Sequence, residues 1–374
     1  MASTPIENGI GLETAARNIK ELVDTLEQLR HIGLKSIETH LPELIMVGDQ
    51  SAGKSSMMSA IAEINLPRGH SMCTRCPTNI KTSDAPVWSC KIELHEQYTW
   101  DPVVRKRTQK FQNWVEREEG LVVKDFASVK HKRDLEEVLK WAQLALLNPS
   151  EDCGSFIPGT DGHARQRQKR KDNPNHKEQA KFSPNVISIE ILGPNLPPLS
   201  FYDLPGLFQD AEDADQEYLI KVFEDLTVKY IKHEKALIIC AINMAIDPGL
   251  SRTKNVITAK KAKDRCIGVL TMPDRLQQHE TVHKDYDNIF HKRTYVLPHG
   301  YFVTKQPGPE FGHHDDPDYH IIARQEEEEF FDSGSFWSKG REWEEFRSRC
   351  GTGTILKYLS EEFAKLILSR YYYR

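Results

Sequence analysis

Apolar residues fall along this chain in two rhythms. Ile19, Leu22, Val23, Leu26 and Leu29 recur at spacings of three and four with Lys, Glu and Asp between them. That spacing predicts an amphipathic helix over 13–30, ended by His31-Ile32-Gly33. Ile355, Leu356, Leu359, Phe363, Leu366 and Ile367 predict a second one near the end of the chain. Between them lie short apolar runs: Leu44 to Val47, Val186 to Ile191, Leu199 to Leu204, Leu237 to Ala241, Ile267 to Leu270 and Tyr301 to Val303. The last three each follow a segment with helical spacing. Buried strands alternating with helices predict an α/β fold with a mostly parallel central sheet covered on both faces. Ile80 to Tyr98 alternates and predicts paired strands. Arg105 to Leu147 carries helical spacing (Phe111, Trp114, Val115, then Leu135, Val138, Leu139, Trp141, Leu144).

Two polar stretches interrupt this order. Ala164 to Lys181 is basic and nearly free of apolar residues (Arg165, Arg167, Lys169, Arg170, Lys171, Lys177, Lys181), which predicts a solvated, disordered insertion over about 160–181. Contact with anionic lipid or a partner is the other reading. After Pro317 the run Gln325-Glu326-Glu327-Glu328-Glu329 predicts one solvated helix face. The chain of 374 residues carries a net charge of −5, so no global basic field points to nucleic acid. Its start is polar and no run is long and apolar enough to span a bilayer, so membrane contact would be peripheral. Seven scattered cysteines are read as reduced thiols of the cytosol. Cys73-Thr74-Arg75-Cys76 spells C-x-x-C without a second pair at zinc spacing. His313-His314-Asp315-Asp316 is read as a polar surface loop rather than a metal site.

The chemistry sits at the ends of the apolar runs. Gly48-Asp49-Gln50-Ser51-Ala52-Gly53-Lys54-Ser55-Ser56 fits G-x-x-x-x-G-K-[ST] between a predicted strand and a helical pattern (Met57, Met58, Ile61). A buried strand feeding such a turn and then a helix aims backbone N–H groups and the positive helix end at one point. Lys54 can then reach β- and γ-phosphates, and the Ser55 hydroxyl can ligate Mg²⁺. Asp203-Leu204-Pro205-Gly206 follows the run Leu199 to Tyr202. Asp203 can bind a Mg²⁺ water there, and Gly206 can offer its N–H to the γ-phosphate. Thr271-Met272-Pro273-Asp274 follows Ile267 to Leu270, where the Asp274 carboxylate can accept both N1–H and N2–H₂ of guanine.

These motifs, in this order, resemble the dynamin superfamily of large GTPases, in its fungal and antiviral branch. The loop GDQSAGKSS, Leu66-Pro67-Arg68-Gly69 with Thr74-Arg75-Cys76-Pro77 as switch I, Asp203 to Gly206 as switch II, and Phe182-Ser183-Pro184-Asn185-Val186 carry the resemblance over roughly 13 to 370. It implies nucleotide contacts from Gly48, Asp49, Gln50, Ser51, Ala52, Gly53, Lys54, Ser55, Ser56, Asp203, Gly206, Thr271, Met272, Asp274, Thr304 and Lys305. Ser55, Thr74 and Asp203 would hold Mg²⁺, and Gln50 would orient the attacking water. Ser51 would help hold a monovalent cation (Na⁺ or K⁺). Asp247 would act across a homodimer of GTPase domains.

The resemblance implies GTP binding and Mg²⁺-dependent GTP hydrolysis stimulated by that dimer, with the family's role in membrane remodelling or fission. A cytoplasmic chain, peripheral on membranes or associated with microtubules or mitochondria, follows in the same way. The alternative is a hydrolysis-impaired guanine-nucleotide-binding interaction module, because Met272 replaces the usual Lys and Ser71 a usual Gly. A phosphate-loop ATPase or kinase is a third reading. The expected organisation is a bundle-type helix over 1–33, a GTPase domain over 34–350, and a second bundle-type helix over 351–374 that ends early. The groove between those helices would be exposed or covered by a partner helix.

Overall fold

The computed structural model describes residues 43–67, 74–103, 110–173, 176–194, 196, 199–208, 216–234, 236–276, 280–308, 311, 316, 318–333 and 341–372. The helix expected over 13–30, and with it the groove, lies outside these residues, as do Arg68, Gly69, Ser71, Cys73, His313, His314 and Asp315.

The apolar run Leu44–Gly48 forms β1, and every one of its residues is buried. Parallel neighbours lie on both sides of it: β8 (Leu199–Asp203) and β9 (Leu237–Asn243). β10 (Cys266–Thr271) and β11 (Tyr301–Thr304) extend the parallel half beyond β9. Beyond β8 come β2 (Thr78–Asp84), β7 (Val186–Gly193), β3 (Ser89–Glu96) and β6 (Val122–Val129). The nine-stranded order is β11-β10-β9-β1-β8-β2-β7-β3-β6, with antiparallel pairing at β8–β2, β7–β3 and β3–β6. A mostly parallel sheet of this kind is what near-continuous apolar strands predict, because both of its faces must be covered.

Alternation along β1 sorts the core into two layers. Leu44 and Met46 face one layer with Met57 and Ile61 of helix α1 (Lys54–Ala62) and the apolar side of α2 (Leu135–Leu147). Ile45 and Val47 face the other, with Phe223 of α4 (Glu217–Ile231), Ile257 of α5 (Arg252–Ala259) and Tyr286 of α6 (Glu280–Phe290). Helices α4, α5 and α6 precede β9, β10 and β11 in turn. The C-terminal helix α8 (Thr352–Tyr372) joins the first layer through Ile355, Leu359 and Phe363, and packs beside α1.

Four sequence expectations are corrected here. The strands within Ile80 to Tyr98 do not pair with each other, because β7 lies between β2 and β3. Among the described residues of Arg105 to Leu147, only the last part, from Lys132 to Leu147, is helical. Trp114–Glu116 is β5, paired with β4 (Tyr98–Trp100), and β6 closes the edge of the large sheet. Trp114 is fixed by burial and by donating its indole N–H to the Phe182 carbonyl at 3.0 Å, which overrides the spacing.

The basic stretch is not disordered throughout. Asp161–Asp172 forms α3, capped by the Thr160 hydroxyl. One side of it, His163, Gln166 and Arg170, docks against Trp141, Phe156 and Glu151. A polar helix of this kind lacks an apolar stripe, so its order comes from tertiary contacts that the local pattern does not carry. Finally, Glu327 in α7 (Tyr319–Asp332) is 2% exposed, so the acidic run is not wholly a solvated face.

Candidate functional site

The turn after β1 is shaped by close backbone approach. A Cβ on Gly48 would fall 2.8 Å from the Ala241 carbonyl of β9, and Gly53 caps α1 at φ 75°, the left-handed region that favours glycine. Thr271 at the end of β10 braces the turn by donating its hydroxyl to the Ala52 carbonyl at 3.0 Å. Lys54 is buried and donates to the carbonyls of Gly48 (3.2 Å) and Asp49 (3.0 Å). Burial draws its ammonium below the ordinary lysine range, against the opposing charges of Asp203 and Asp49.

Asp49 does more than shape the turn. Its carboxylate accepts from the backbone N–H groups of Arg252 (3.1 Å) and Thr253 (2.9 Å) and from the Thr253 hydroxyl (2.7 Å). It therefore sits on the N-terminus of α5, where a negative charge is favoured. Sequence reading assigned this residue to nucleotide contact, and its side chain is engaged elsewhere.

Three oxygen-bearing side chains from distant segments meet beside the turn. The Ser55 hydroxyl donates to Asp203 Oδ2 at 2.9 Å and lies 3.3 Å from the Thr74 hydroxyl. Asp203 is 2% exposed, and its Oδ1 has no hydrogen-bond partner. Burial pushes its carboxyl above the ordinary aspartate range, while the Lys54 charge and the Ser55 and Thr74 hydroxyls pull it down. An unpartnered buried carboxylate oxygen beside two hydroxyls is a donor set that suits a hard divalent cation such as Mg²⁺. The three line a pocket open to solvent together with Gln143 and Pro67.

Thr74 is held by neighbours that no motif announces. Arg75 donates its backbone N–H to Gln143 Oε1 at 2.9 Å, and its carbonyl accepts from Ser183 N–H at 3.0 Å. Its guanidinium pairs with Glu178 at 3.1 Å. The signals for Gln143 and Glu178 are long-range, so spacing could not have found them.

The segment after β8 crosses the phosphate-loop turn. Leu207 exchanges backbone bonds with Gly48 (3.2 Å) and Gln50 (2.6 Å). A Cβ on Gly206 would lie 2.8 Å from both Gln50 Cα and Lys54 Nζ. Ser51 is exposed at φ 60°, and its carbonyl accepts from Asn243 Nδ2 at 3.5 Å.

The remaining candidates line the same end of the sheet more loosely. Thr271 and Thr304 are register partners at the ends of β10 and β11, and the buried Thr304 hydroxyl has no hydrogen-bond partner. Met272 stands at φ 54°, and Asp274 is exposed on the following turn. Lys305 gives its backbone N–H to Glu327 at 2.7 Å and lays its ammonium 5.4 Å from the Phe330 ring centre. Asp247 is exposed after β9, its carboxylate accepting from Gly249 N–H at 2.6 Å. The structure thus gathers the turn, Lys54, Ser55, Thr74, Asp203, Gly206 and Thr271 closely, and leaves Asp274 and Asp247 on exposed turns. Among the described residues no cluster of three or more His, Cys, Asp or Glu forms a metal site, and Cys76 is a buried free thiol pushed up to about 12.

A phosphate-loop turn at the carboxyl end of a mostly parallel sheet, flanked by a hydroxyl–carboxylate cluster, defines an α/β nucleotide-binding protein of the phosphate-loop class. Within that class the chain belongs to the Dynamin family, whose profile matches residues 44–273. It is 25% identical over 301 residues to the interferon-induced GTP-binding protein Mx2 of Homo sapiens, covering 78% of this chain and 33% of that protein. A Dicentrarchus labrax protein, interferon-induced GTP-binding protein Mx, is 24% identical over 293 residues, covering 78% and 36%. The chain spans about a third of the length of these relatives.

Proposed function

We propose that this chain binds GTP and hydrolyses it with Mg²⁺, and that pairing of two such domains stimulates turnover. The observation that carries the reading is the convergence of Lys54, Ser55, Thr74 and Asp203, with one buried carboxylate oxygen left unpartnered. The relatives are named as GTP-binding proteins, which supports guanine as the base.

In this reading Lys54 exchanges its two carbonyl partners for phosphate oxygens. Mg²⁺ held by Ser55, Thr74 and Asp203 would neutralise charge developing on the phosphate oxygens. Gly206, pressed on Gln50 and Lys54, lies where a γ-phosphate would be felt first. Gln50 orients the attacking water, and Ser51 helps hold a monovalent cation. Asp274 and Thr304 flank the base. Asp247, on its exposed turn, is available to a second domain.

Membrane remodelling is the family role proposed for the whole protein. Among the described residues no helix is long and apolar enough to cross a bilayer, so their membrane contact would be peripheral.

The test measures release of phosphate from GTP and from ATP over a range of protein concentrations, with Lys54→Ala as control. Guanine-selective turnover whose specific activity rises with concentration supports the reading. Guanine-selective binding without phosphate release replaces it by a non-hydrolysing interaction module, and equal use of ATP overturns both.

A further inference from the structure

Glu327 is a buried carboxylate that belongs to none of the nucleotide motifs. Its Oε1 accepts the Lys305 backbone N–H at 2.7 Å, and its Oε2 accepts the Thr352 backbone N–H at 2.7 Å. Lys305 opens the loop after β11, next to Thr304, whose buried hydroxyl is unpartnered and which is the register partner of Thr271. Thr352 opens α8. Two further links tie the same two segments. Gly351 N–H donates to the Val303 carbonyl at 2.9 Å, and Gln306 Nε2 donates to the Thr352 hydroxyl at 2.8 Å. One turn earlier on α7, Arg324 pairs with Glu63 at 2.9 Å and reaches the Ala60 carbonyl at 3.4 Å, at the far end of α1.

Each carboxylate oxygen of Glu327 holds a backbone donor from a different segment. Withdrawal of either segment therefore leaves a buried carboxylate oxygen and a backbone N–H unsatisfied together. The loop and the first turn of α8 move as one unit or at that cost. We infer that Glu327 is a positioning residue which couples occupancy of the base side of the nucleotide site to the docking of α8 on the domain. This rests on the proposed guanine-nucleotide reading. Coupling of this kind is reciprocal: a docked α8 tightens nucleotide binding, and bound nucleotide holds α8 down by the same factor.

The experiment uses the full chain. Hydrogen exchange at the first turn of α8 is followed with and without a non-hydrolysable GTP analogue in the wild type, Glu327→Gln and Glu327→Asp. Steady-state kinetics accompany it, and circular dichroism checks the fold. In the wild type the analogue slows exchange at Thr352 and the residues after it. Glu327→Gln, which keeps one acceptor and turns an amide N–H toward the other donor, abolishes that protection. It also raises the KM for GTP roughly tenfold while kcat stays within roughly twofold. Glu327→Asp keeps the charge on a shorter arm and falls between the two.

If the analogue binds the wild type but leaves exchange in α8 unchanged, the coupling is overturned without reference to any variant. Equal GTP affinity in wild type and a folded Glu327→Gln overturns it as well. A wild-type chain that takes up no guanine nucleotide overturns the functional reading instead.

Discussion

Asp49 and Glu327 show how much a single carboxylate can carry when it is held by backbone N–H groups. Asp49 closes the N-terminus of α5 with three acceptor contacts. Asp49→Ala should cost about 1–2 kcal/mol of stability, and Asp49→Asn clearly less, read as the shift in urea midpoint. Glu327 is buried among its donors. Burial holds its carboxyl above the ordinary value of 4.5, against the pull of the Thr352 and Lys305 N–H groups and of Arg324. A carboxyl with a raised folded pKa stabilises most below the unfolded value, and that contribution is lost as pH rises through the folded value. The wild type should therefore lose stability relative to Glu327→Gln as pH rises above the ordinary carboxylate value of 4.5, measured by paired denaturation curves. The strand–turn–helix form of Leu44 to Ala62 was legible because its pattern is local. The work of the Asp49 side chain was not, since its partners lie in another element.

Among the elements, the parallel strands were legible because burial on both faces leaves an unbroken apolar signature in Leu44 to Val47 or Leu237 to Ala241. β5, β6 and α3 were not. Their residues face solvent or polar partners on one side, and long-range contacts set their conformation. For α3 this is testable. Trp141 is 8% exposed and receives His163 and Arg170, so Trp141→Ala should cost about 3–5 kcal/mol. It should also expose Arg165 and Arg167 to trypsin, where the wild type resists. The segment after β8 offers a second test. A methyl on Gly206 meets the Gln50 backbone, which cannot yield as a flexible side chain would. Gly206→Ala should lower kcat by roughly tenfold or more while nucleotide still binds, measured by single-turnover hydrolysis and fluorescent nucleotide titration.

At the scale of the whole molecule, the layers follow from the alternation along β1. α8 shares the layer of Leu44 and Phe201 through Ile355, Leu359 and Phe363. The sequence marked α8 as amphipathic, but periodicity alone could not say which face of the sheet it would cover. Because the body of α8 around Leu359 and Phe363 is continuous with the core, it should unfold with the domain, while nucleotide acts on the docking of its first turn. Phe363→Ala should lower global stability by about 3–5 kcal/mol in a single cooperative transition, followed by fluorescence and circular dichroism together.

The double engagement of Asp49 also bears on how such a chain can change over generations. Its backbone shapes the phosphate turn while its side chain secures α5 through Thr253. Drift at position 49 therefore disturbs two structures at once, and a change there is tolerated best when position 253 changes with it. Among descendants of a common ancestor these two positions should vary as a pair, although 203 residues separate them in the chain.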